Sequence, residues 1–266
     1  MIRIDDPGDP RLAGFRDIKE RDLVGREGRF IAEGKVVLSV LCTQAPQDIE
    51  ALLVLENRIA GISDILAKLQ SHTPVYMAST AVVDAIAGFH LHRGLIAIAR
   101  RPALQNPLET LRGLSHDALV IAACGISNHD NMGSIFRNAA AFEAALVVLD
   151  ETSCDPYYRK AIRVSVGAVL QVPHARVGSL GEMCETLTNE GFTLGALSPH
   201  GKTPIEAFPK DGKRALLLGS EGKGLPDSTL GTLDTFRIPM SPGFDSLNVG
   251  TTSGIALYHA SKFSSR

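Results

Sequence analysis

In the second half of the chain, short runs of almost continuous apolar residues alternate with stretches of helical character. The apolar runs are ALVIAAC, ALVVL, FTLGAL, RALLLG and FRIPM, and the helical stretches are MGSIFRNAAAF, YRKAIRVSV, LGEMCETLTNE and VGTTSGIALYHASK. A strand that is apolar on both faces must be covered on both faces, and strands that alternate with helices pair in parallel. The sequence therefore predicts an α/β domain built on a parallel sheet.

The first part of the chain predicts a smaller α/β unit. Between residues 29 and 101 the segments GKVVLSVL, ALLVLEN, ISDILAKLQ, VYM, STAVVDAIAGF and GLIAIARR favour the order α, β, α, β, α, β. Pro102, Pro107 and the polar residues around them then interrupt the pattern and are typical of a hinge. We therefore predict a first domain over residues 1–105, a linker over 106–116 and a second domain over 117–266.

Composition excludes some functions. The 266 residues are 44% hydrophobic and carry a formal net charge of −2, so a globally basic nucleic-acid binder is excluded and any RNA contact must come from local patches. Near the N-terminus, basic residues alternate with Asp and Glu, which is also typical of a solvated mixed-charge face. These basic residues are Arg11, Arg16, Lys19, Arg21, Arg26 and Arg29.

The cysteines and histidines give no metal motif. Cys42, Cys124, Cys154 and Cys184 form no C-x-x-C pair, and the two histidines of HLHR at 90–93 do not by themselves make a site. No apolar run approaches the roughly 18 residues that a membrane span needs, and the acidic N-terminus lacks the apolar core of a signal peptide. We expect a cytoplasmic protein with reduced thiols, no metal and no membrane contact.

Three polar loops each follow a predicted strand of the second domain. GISNHDNMGSIFRN follows ALVIAAC, SEGKGLPD follows RALLLG, and SPGFDSLNVG follows FRIPM. Because ligands bind in the crevice outside the carboxyl ends of parallel strands, these loops are predicted to meet at one edge of the sheet.

Single residues of these loops also have structural interpretations. Asn131 suits the N-cap of a helix that begins at Met132, Arg137 suits a solvated helix face, and Asn248 suits the cap of the helix from Val249 onward. Gly250 and Gly254, with Ser253, leave one side of that last helix thin, so another backbone or a partner helix could approach closely.

The glycine-rich second loop does not match a known phosphate-binding loop. Lys223 is followed by Gly224 where a P-loop has Ser or Thr, and no G-x-G-x-x-G is present. The loop is then either a tight connection or a place where a ligand approaches the main chain beside Glu221.

Taken together, the three loops resemble the SpoU-type, or TrmH-type, RNA 2′-O-ribose methyltransferases of the SPOUT superfamily. NMGSIFRNAAAF (131–142), LLLGSEGKGL (216–225) and IPMSPGFDSLNVGTTSGIAL (238–257) are similar to the three motifs of that family, in the same order. DPYYRKAIRVSVGAVLQVP (155–173) is similar to the segment that follows motif one. In the first domain, RFIAEGKVVLSVL and GFHLHRGLIAIARR resemble the substrate-binding domain that often precedes the catalytic one and is related to RNA-binding ribosomal proteins.

The resemblance implies a catalytic domain with a deep trefoil knot, S-adenosyl-L-methionine as the methyl donor, structured RNA as the substrate and a homodimer. rRNA is favoured over tRNA as that substrate. The implied cofactor-binding residues are Leu218, Gly219, Ser220, Gly222, Ile238, Met240 and Leu247. Arg137, at the position of the motif-one arginine, is expected to stabilise charge on the ribose hydroxyl and to grip phosphate, with a phosphate-assisted role as base left open. The other implied site residues are Asn131, Glu221, Ser246 and Asn248, and His129 stands where the family often has Pro.

Two other functions remain as alternatives. A catalytically silent RNA-binding homologue would keep the fold, although the five polar motif residues argue against it. A dinucleotide-dependent oxidoreductase would suit the α/β pattern but not the missing glycine fingerprint.

Overall fold

A computed structural model describes residues 1–16, 24, 27–87 and 94–262 of the chain. It divides into two compact units, one formed by Met1–Ala103 with Tyr157–Gln171 and the other by Leu104–Pro156 with Val172–Arg266. The two histidines of HLHR lie outside the described residues, as do Lys19, Arg21 and Arg26.

The segment Tyr157–Gln171 groups with the first unit, although its position in the sequence predicts that it belongs to the second domain. The ring of Tyr157 lies 5.0 Å from the ring of Phe30, and Gly167 approaches Val40 so closely that a Cβ on the glycine would lie 3.3 Å from the Val40 side chain. An apolar helix face shows that a helix is covered but not which sheet covers it, so the pattern could not give this pairing.

The first unit contains a five-stranded mixed sheet of order β1-β4-β3-β5-β2. Its strands are β1 (Ile2–Ile4), β2 (Arg29–Glu33), β3 (Ile49–Leu55), β4 (Val75–Ala78) and β5 (Leu95–Arg100), and its helices include α1 (Lys35–Gln44), α2 (Ser63–Leu66) and α3 (Thr80–Ala87). Strand β5 runs antiparallel to both β3 and β2. The six predicted elements are confirmed, whereas β1 and β2 were missed.

The second unit contains a seven-stranded sheet, and every strand pair in it is parallel, which confirms the predicted sheet type. The order is β10-β12-β9-β11-β6-β7-β8. The strands are β6 (Leu119–Ala123), β7 (Leu146–Leu149), β8 (His174–Arg176), β9 (Thr193–Leu197), β10 (Thr203–Pro204), β11 (Arg214–Leu218) and β12 (Asp234–Arg237). The short strands β8 and β10 carry too few apolar residues for the pattern to reveal them.

Helices cover this sheet and its apolar core. They are α4 (Pro107–Arg112), α5 (His129–Ala141), α7 (Leu180–Asn189), α8 (Asp227–Leu230) and α9 (Val249–Ala260), while α6 (Arg159–Val164) lies in the first unit. The five strands predicted from the apolar runs are all present; β6, β7 and β11 are fully buried, β9 is buried at four of its five residues and β12 at two of its four. The trefoil knot that the resemblance implies stays a prediction. Within the described residues, no helix is both long and apolar enough to cross a bilayer.

A buried arginine ties the start of β11 to the end of the last helix. Arg214 is 4% exposed and donates hydrogen bonds to the Asp117 carboxylate at 2.5 Å and to the Ala260 carbonyl oxygen at 3.4 Å. Lys262 also contacts Asp117. Hydrogen bonds from Lys262 and Arg214 hold the pKa of Asp117 below its ordinary value of 3.8.

We expect Arg214→Met to lower the free energy of unfolding by about 2–4 kcal/mol, because it removes charged hydrogen bonds from a buried position. Since the Asp117 pKa is lowered in the folded state, the stabilisation is present above pH 3.8 and is lost as pH falls through the lower folded value. Urea unfolding at neutral and acidic pH measures both effects. The difference in the free energy of unfolding between the variant and the wild type should be smaller at acidic pH. Asp211→Asn, which removes a largely exposed partner of Lys262, is the matched control and should change little.

Candidate active site

A cavity of about 550 Å³ lies where the loops after β9, β11 and β12 meet at the carboxyl edge of the second unit's sheet. The residues that the resemblance implied for cofactor binding all line it, namely Leu218, Gly219, Ser220, Gly222, Ile238, Met240 and Leu247. Glu221, Ser246 and Asn248 line it as well. Convergence follows from the strand order, because β12, β9, β11 and β6 are consecutive neighbours.

Three polar side chains from the three loops form a continuous hydrogen-bonded chain. The Asn248 amide donates to Asn131 Oδ1 at 2.9 Å, and the Asn131 amide donates to Glu221 Oε1 at 2.5 Å. Ser127 donates to the other carboxylate oxygen of Glu221 at 3.2 Å. Asn131 and Asn248 are 117 positions apart in the sequence, so this hydrogen-bonded chain fixes the loops relative to one another at the cavity.

The predicted cap of the motif-one helix is wrong. Helix α5 begins at His129, and Asn128 is its N-cap, with its side chain accepting from the backbone N–H of Asp130 at 2.8 Å. Asn131 is the third helical residue and is 7% exposed. Its amide is turned toward Glu221 and Asn248 instead of toward the helix start, which an adjacent Asn at 128 leaves it free to do.

Arg137 lies almost two turns further along α5 on an exposed face. It does not line the cavity, and it makes no hydrogen bond or ion pair with the described residues. Ser246 is exposed on the loop after β12 and does line the cavity. The structure thus gathers four of the five polar motif residues and leaves the arginine outside them.

The loop after β11 folds back on itself. Ser220 and Gly224 form an antiparallel bridge, with the Gly224 N–H donating to the Ser220 carbonyl at 2.9 Å. A Cβ on Gly219 would lie 2.3 Å from the Gly224 carbonyl carbon and from the Leu225 nitrogen. Gly222 has a φ of 93°, a conformation that a residue with a side chain rarely adopts. Both glycines are therefore required by the turn that carries Glu221.

The last helix begins as predicted, with Asn248 as its cap. Asn248 Oδ1 accepts from the N–H groups of Gly250 at 2.9 Å and Thr251 at 3.3 Å. One side chain therefore caps α9 through its oxygen and joins the polar chain through its nitrogen.

The thin side of α9 packs against α5 of the same chain. A Cβ on Gly250 would lie 2.8 Å from Ser134 Cβ, and one on Gly254 would lie 3.1 Å from the Asn138 amide. Asn138 donates to the Gly250 carbonyl at 2.7 Å and to Ser253 Oγ at 2.8 Å. The close approach that the small residues indicated is therefore made within the chain.

The loop after β9, one of the three loops that line the cavity, was missed in the sequence. Leu197, the last residue of β9, and residues 198–200 after it all line the cavity, and β9 lies between β11 and β12 in the sheet. The loop is fastened to the end of β12, because Arg237 donates to the carbonyls of Gly201 at 2.8 Å and Lys202 at 2.7 Å. The signal was available: FTLGAL is a predicted strand followed by the polar SPHG, the same arrangement that identified the other three loops.

A buried carboxylate fixes the backbone at the start of the first loop through hydrogen bonds. Asp150 is 5% exposed and accepts from the Gly125 N–H at 3.0 Å and from Ser153 Oγ at 2.5 Å. Burial alone would raise its pKa, but hydrogen bonds from Ser153, Thr152 and Gly125 outweigh burial and lower the pKa. The backbone that precedes Ser127 is thereby fixed next to the loop after β11, since a Cβ on Gly125 would lie 3.0 Å from Ser220 Cβ.

The cysteines take no part in the cavity. None of the four forms a disulfide and none lines the cavity, and burial raises the pKa of both Cys42 and Cys154 to about 11, so these thiols stay protonated at neutral pH. In the described part of the chain, no group of three or more His, Cys, Asp or Glu is arranged to hold a metal ion.

The charges around the cavity are mostly negative. Its lining includes the carboxylates of Glu221, Asp227 and Asp245 and one lysine, Lys223, beside the apolar Leu225, Phe236 and Met240. Pockets of roughly 300–1,000 Å³ with an apolar lining and a few polar groups are typical of small-molecule sites. A cationic ligand with an apolar ring system suits this lining better than an anionic one.

Solved structures with the same fold are RNA methyltransferases. An RNA 2′-O ribose methyltransferase is 26% identical with a TM-score of 0.78, covering 97% of this chain and 98% of that one. The SpoU methyltransferase AviRb from Streptomyces viridochromogenes, solved in complex with AdoMet, is 23% identical with a TM-score of 0.78, covering 95% of this chain and 97% of that one. The fold of this chain is therefore the one found in RNA methyltransferases.

Comparison of sequences assigns the family within that class. The model of the SpoU rRNA Methylase family matches residues 118–258. An uncharacterized tRNA/rRNA methyltransferase of Mycobacterium bovis is 39% identical over 97% of this chain and 90% of its own length. The 23S rRNA (guanosine-2′-O-)-methyltransferase RlmB of Vibrio vulnificus is 28% identical over 87% of this chain and 95% of its own length. This chain belongs to the SpoU rRNA methylase family.

Proposed function

We propose that this protein transfers a methyl group from S-adenosyl-L-methionine to a ribose 2′-hydroxyl of ribosomal RNA. The observation that carries the proposal is the polar chain Asn248–Asn131–Glu221, which ties motif residues from three separate loops to one cavity. The names of the relatives support rRNA as the substrate and the ribose 2′-oxygen as the acceptor.

The cavity fits the methyl donor. Main-chain groups of Leu218, Gly219 and Ile238 and the side chains of Met240 and Leu247 would hold its adenosine part, since apolar side chains and glycine backbone surround this space. The acidic lining would favour its sulfonium and ammonium charges. The donor supplies the transferable methyl group, and the protein supplies position and electrostatics.

The protein's part in the reaction is mainly orientation. A hydroxyl held in line with a methyl group reacts far faster than one in solution, by roughly 7–11 kcal/mol of barrier in favourable cases. We assign Ser246 and Asn248 to holding the ribose at the cavity mouth, and Glu221 with Asn131 to keeping the loops in register. Arg137 would stabilise the developing alkoxide and grip the neighbouring phosphate, because a guanidinium does not lose its proton in proteins.

The proposal is tested with labelled S-adenosylmethionine and an unmodified transcript of 23S rRNA. We expect label to enter the transcript and to protect the adjacent phosphodiester from alkaline cleavage, because a 2′-O-methyl group removes the attacking hydroxyl. Label only on bases would contradict the ribose assignment. Calorimetry that shows no affinity for S-adenosylmethionine would favour the silent RNA-binding homologue.

We propose that the first unit contributes RNA binding. Its N-terminal arginines support RNA binding less than the sequence suggested, because two of them form ion pairs within the unit. Arg11 pairs with Asp9 at 2.6 Å, and Arg29 pairs with Glu50 at 2.8 Å. The segment Tyr157–Gln171 adds three cations and no acidic residue to the unit. Removing residues 1–101 would also uncover this segment, so loss of RNA affinity on deletion would not by itself locate the contact.

We also propose a homodimer and a cytoplasmic location. An open groove between α5 and α9 supports the dimer: it is lined by Phe142 and Tyr258, and Tyr258 is 63% exposed. We expect Tyr258→Arg to halve the mass measured by light scattering at micromolar concentration, because a buried unpaired charge opposes association. Leu108→Arg, at an exposed apolar position on α4, should leave the mass unchanged.

A further inference from the structure

Phe244 is an aromatic ring left in solvent at the edge of the cavity. Its side chain is 68% exposed, and the four residues that follow it, 245–248, all line the cavity. Among the described residues, the large hydrophobic side chains that are exposed include two aromatic rings, Phe244 and Tyr258. Tyr258 packs against another ring, whereas no ring contact is found for Phe244 within the described chain. An exposed aromatic ring next to a binding site is a candidate for contact with the ligand.

The turn before Phe244 accounts for its position. Gly243 has a φ of 86°, and the Phe244 N–H donates to the Ser241 carbonyl at 3.3 Å, which closes a tight turn after Pro242. Phe244 itself does not line the cavity, although Asp245 does. The ring is therefore presented on the outer rim of the loop that leads to Ser246 and Asn248.

We propose that Phe244 stacks on a base of the substrate RNA, at or next to the nucleotide whose ribose is methylated. This inference rests on the proposed function. With the methyl donor in the cavity, the ribose must approach across the rim, and its base and the neighbouring bases then lie outside the cavity, where the ring is. Single-stranded RNA with splayed bases is commonly held by stacking on aromatic side chains.

The ring determines the kind of recognition. A phenyl group has no hydrogen-bond donor or acceptor. It can therefore distinguish an unpaired base, which is free to stack on the ring, from a paired one, but it does not read base identity. Phe244 thus selects RNA in which the target region is unpaired or can be opened. A second copy of the chain is the other occupant to be considered, but the α5–α9 groove, which is lined by Phe142 and Tyr258, is the surface proposed above for that copy.

The test compares variants in single-turnover methylation of the unmodified 23S rRNA transcript. We expect Phe244→Leu, which stays apolar but loses the aromatic face, to raise the RNA concentration for half-maximal rate about tenfold, the effect of about 1.4 kcal/mol. Phe244→Tyr should behave as the wild type. Affinity for S-adenosylmethionine, measured by calorimetry, should be unchanged in both variants. Leu108→Ala, at another exposed apolar position, is the matched control and should have no effect.

A direct readout is available because the chain contains no tryptophan. The F244W variant carries a single indole, whose fluorescence should be quenched when the transcript is added and not when S-adenosylmethionine is added alone. The L108W variant places the indole at an exposed position on α4 that does not line the cavity, and its fluorescence should not respond to the transcript.

The outcomes separate this inference from the proposed function. If the wild type methylates the transcript and Phe244→Leu matches it at every RNA concentration, stacking is wrong and the function stands. If the wild type transfers no methyl group but the transcript quenches F244W, the function is wrong and the RNA contact stands. A Phe244→Leu variant that becomes monomeric would assign the ring to a second copy of the chain and overturn the inference.

Discussion

An Arg137→Ala variant is expected to bind S-adenosylmethionine with wild-type affinity and to lose methyl transfer by roughly 10²–10³-fold, the range found when one donor to a developing oxyanion is removed from an enzyme. The separation of the two effects follows from geometry: the cavity is lined without Arg137, while the exposed face of α5 that carries it is open to RNA.

Calorimetry for the cofactor and single-turnover methylation of the transcript measure the two effects independently. Arg137→Lys keeps the positive charge but loses the bidentate hydrogen bonding of the guanidinium, so this variant should keep only part of the wild-type rate. Arg112→Ala is the matched control, since the Arg112 side chain is largely exposed and neither it nor its partner Glu190 lines the cavity. A variant that loses cofactor affinity together with activity would place Arg137 in the cofactor site, and full activity would remove it from the mechanism.

A Gly219→Ala substitution is expected to abolish cofactor binding within the range that calorimetry detects. The added methyl group would meet the backbone of Gly224 and Leu225 at 2.3 Å, a contact that only a movement of the whole loop can relieve. That movement would displace Glu221, and with it the polar chain to Asn131 and the cavity wall.

Gly113→Ala is the control for this variant. There the added Cβ would meet its nearest neighbour at 3.5 Å, and the backbone φ of −73° suits alanine. Circular dichroism should show that both variants keep their secondary structure. If Gly219→Ala bound S-adenosylmethionine normally, the loop after β11 would not form the wall of the cofactor site.

The sequence predicted five of the seven strands of the second unit's sheet, because each of those five contains a separate apolar run. It also predicted that the loops meet, because parallel strands end at one edge. The order of the strands is a different kind of information. It is set by which strands pair edge to edge across long separations in the sequence, as in the parallel pairing of β9 with β12. For that reason the loop after β9 was missed even though its own signal was present.

Local sequence patterns also could not predict the hydrogen-bond partners of individual side chains. Asn131 looked like a cap because it precedes an apolar periodic stretch, yet Asn128 takes that role and leaves Asn131 for two partners 90 and 117 residues away. Asn248 was predicted correctly as a cap, but the sequence pattern gives no reason to expect that its amide nitrogen also donates a hydrogen bond to Asn131. Tyr157–Gln171 shows the same limit for a whole segment, since its chain neighbours belong to the other unit.

The contact of α9 with α5 has a consequence for how such chains diverge. Gly250 faces Ser134, and Gly254 faces Asn138, each with less room than one methyl group requires. The members of each pair are therefore not free to change size independently: a bulkier residue on one helix demands a smaller one at the facing position of the other. Across descendants of this protein, substitutions at 134 and 250, and at 138 and 254, should consequently accumulate as compensated pairs.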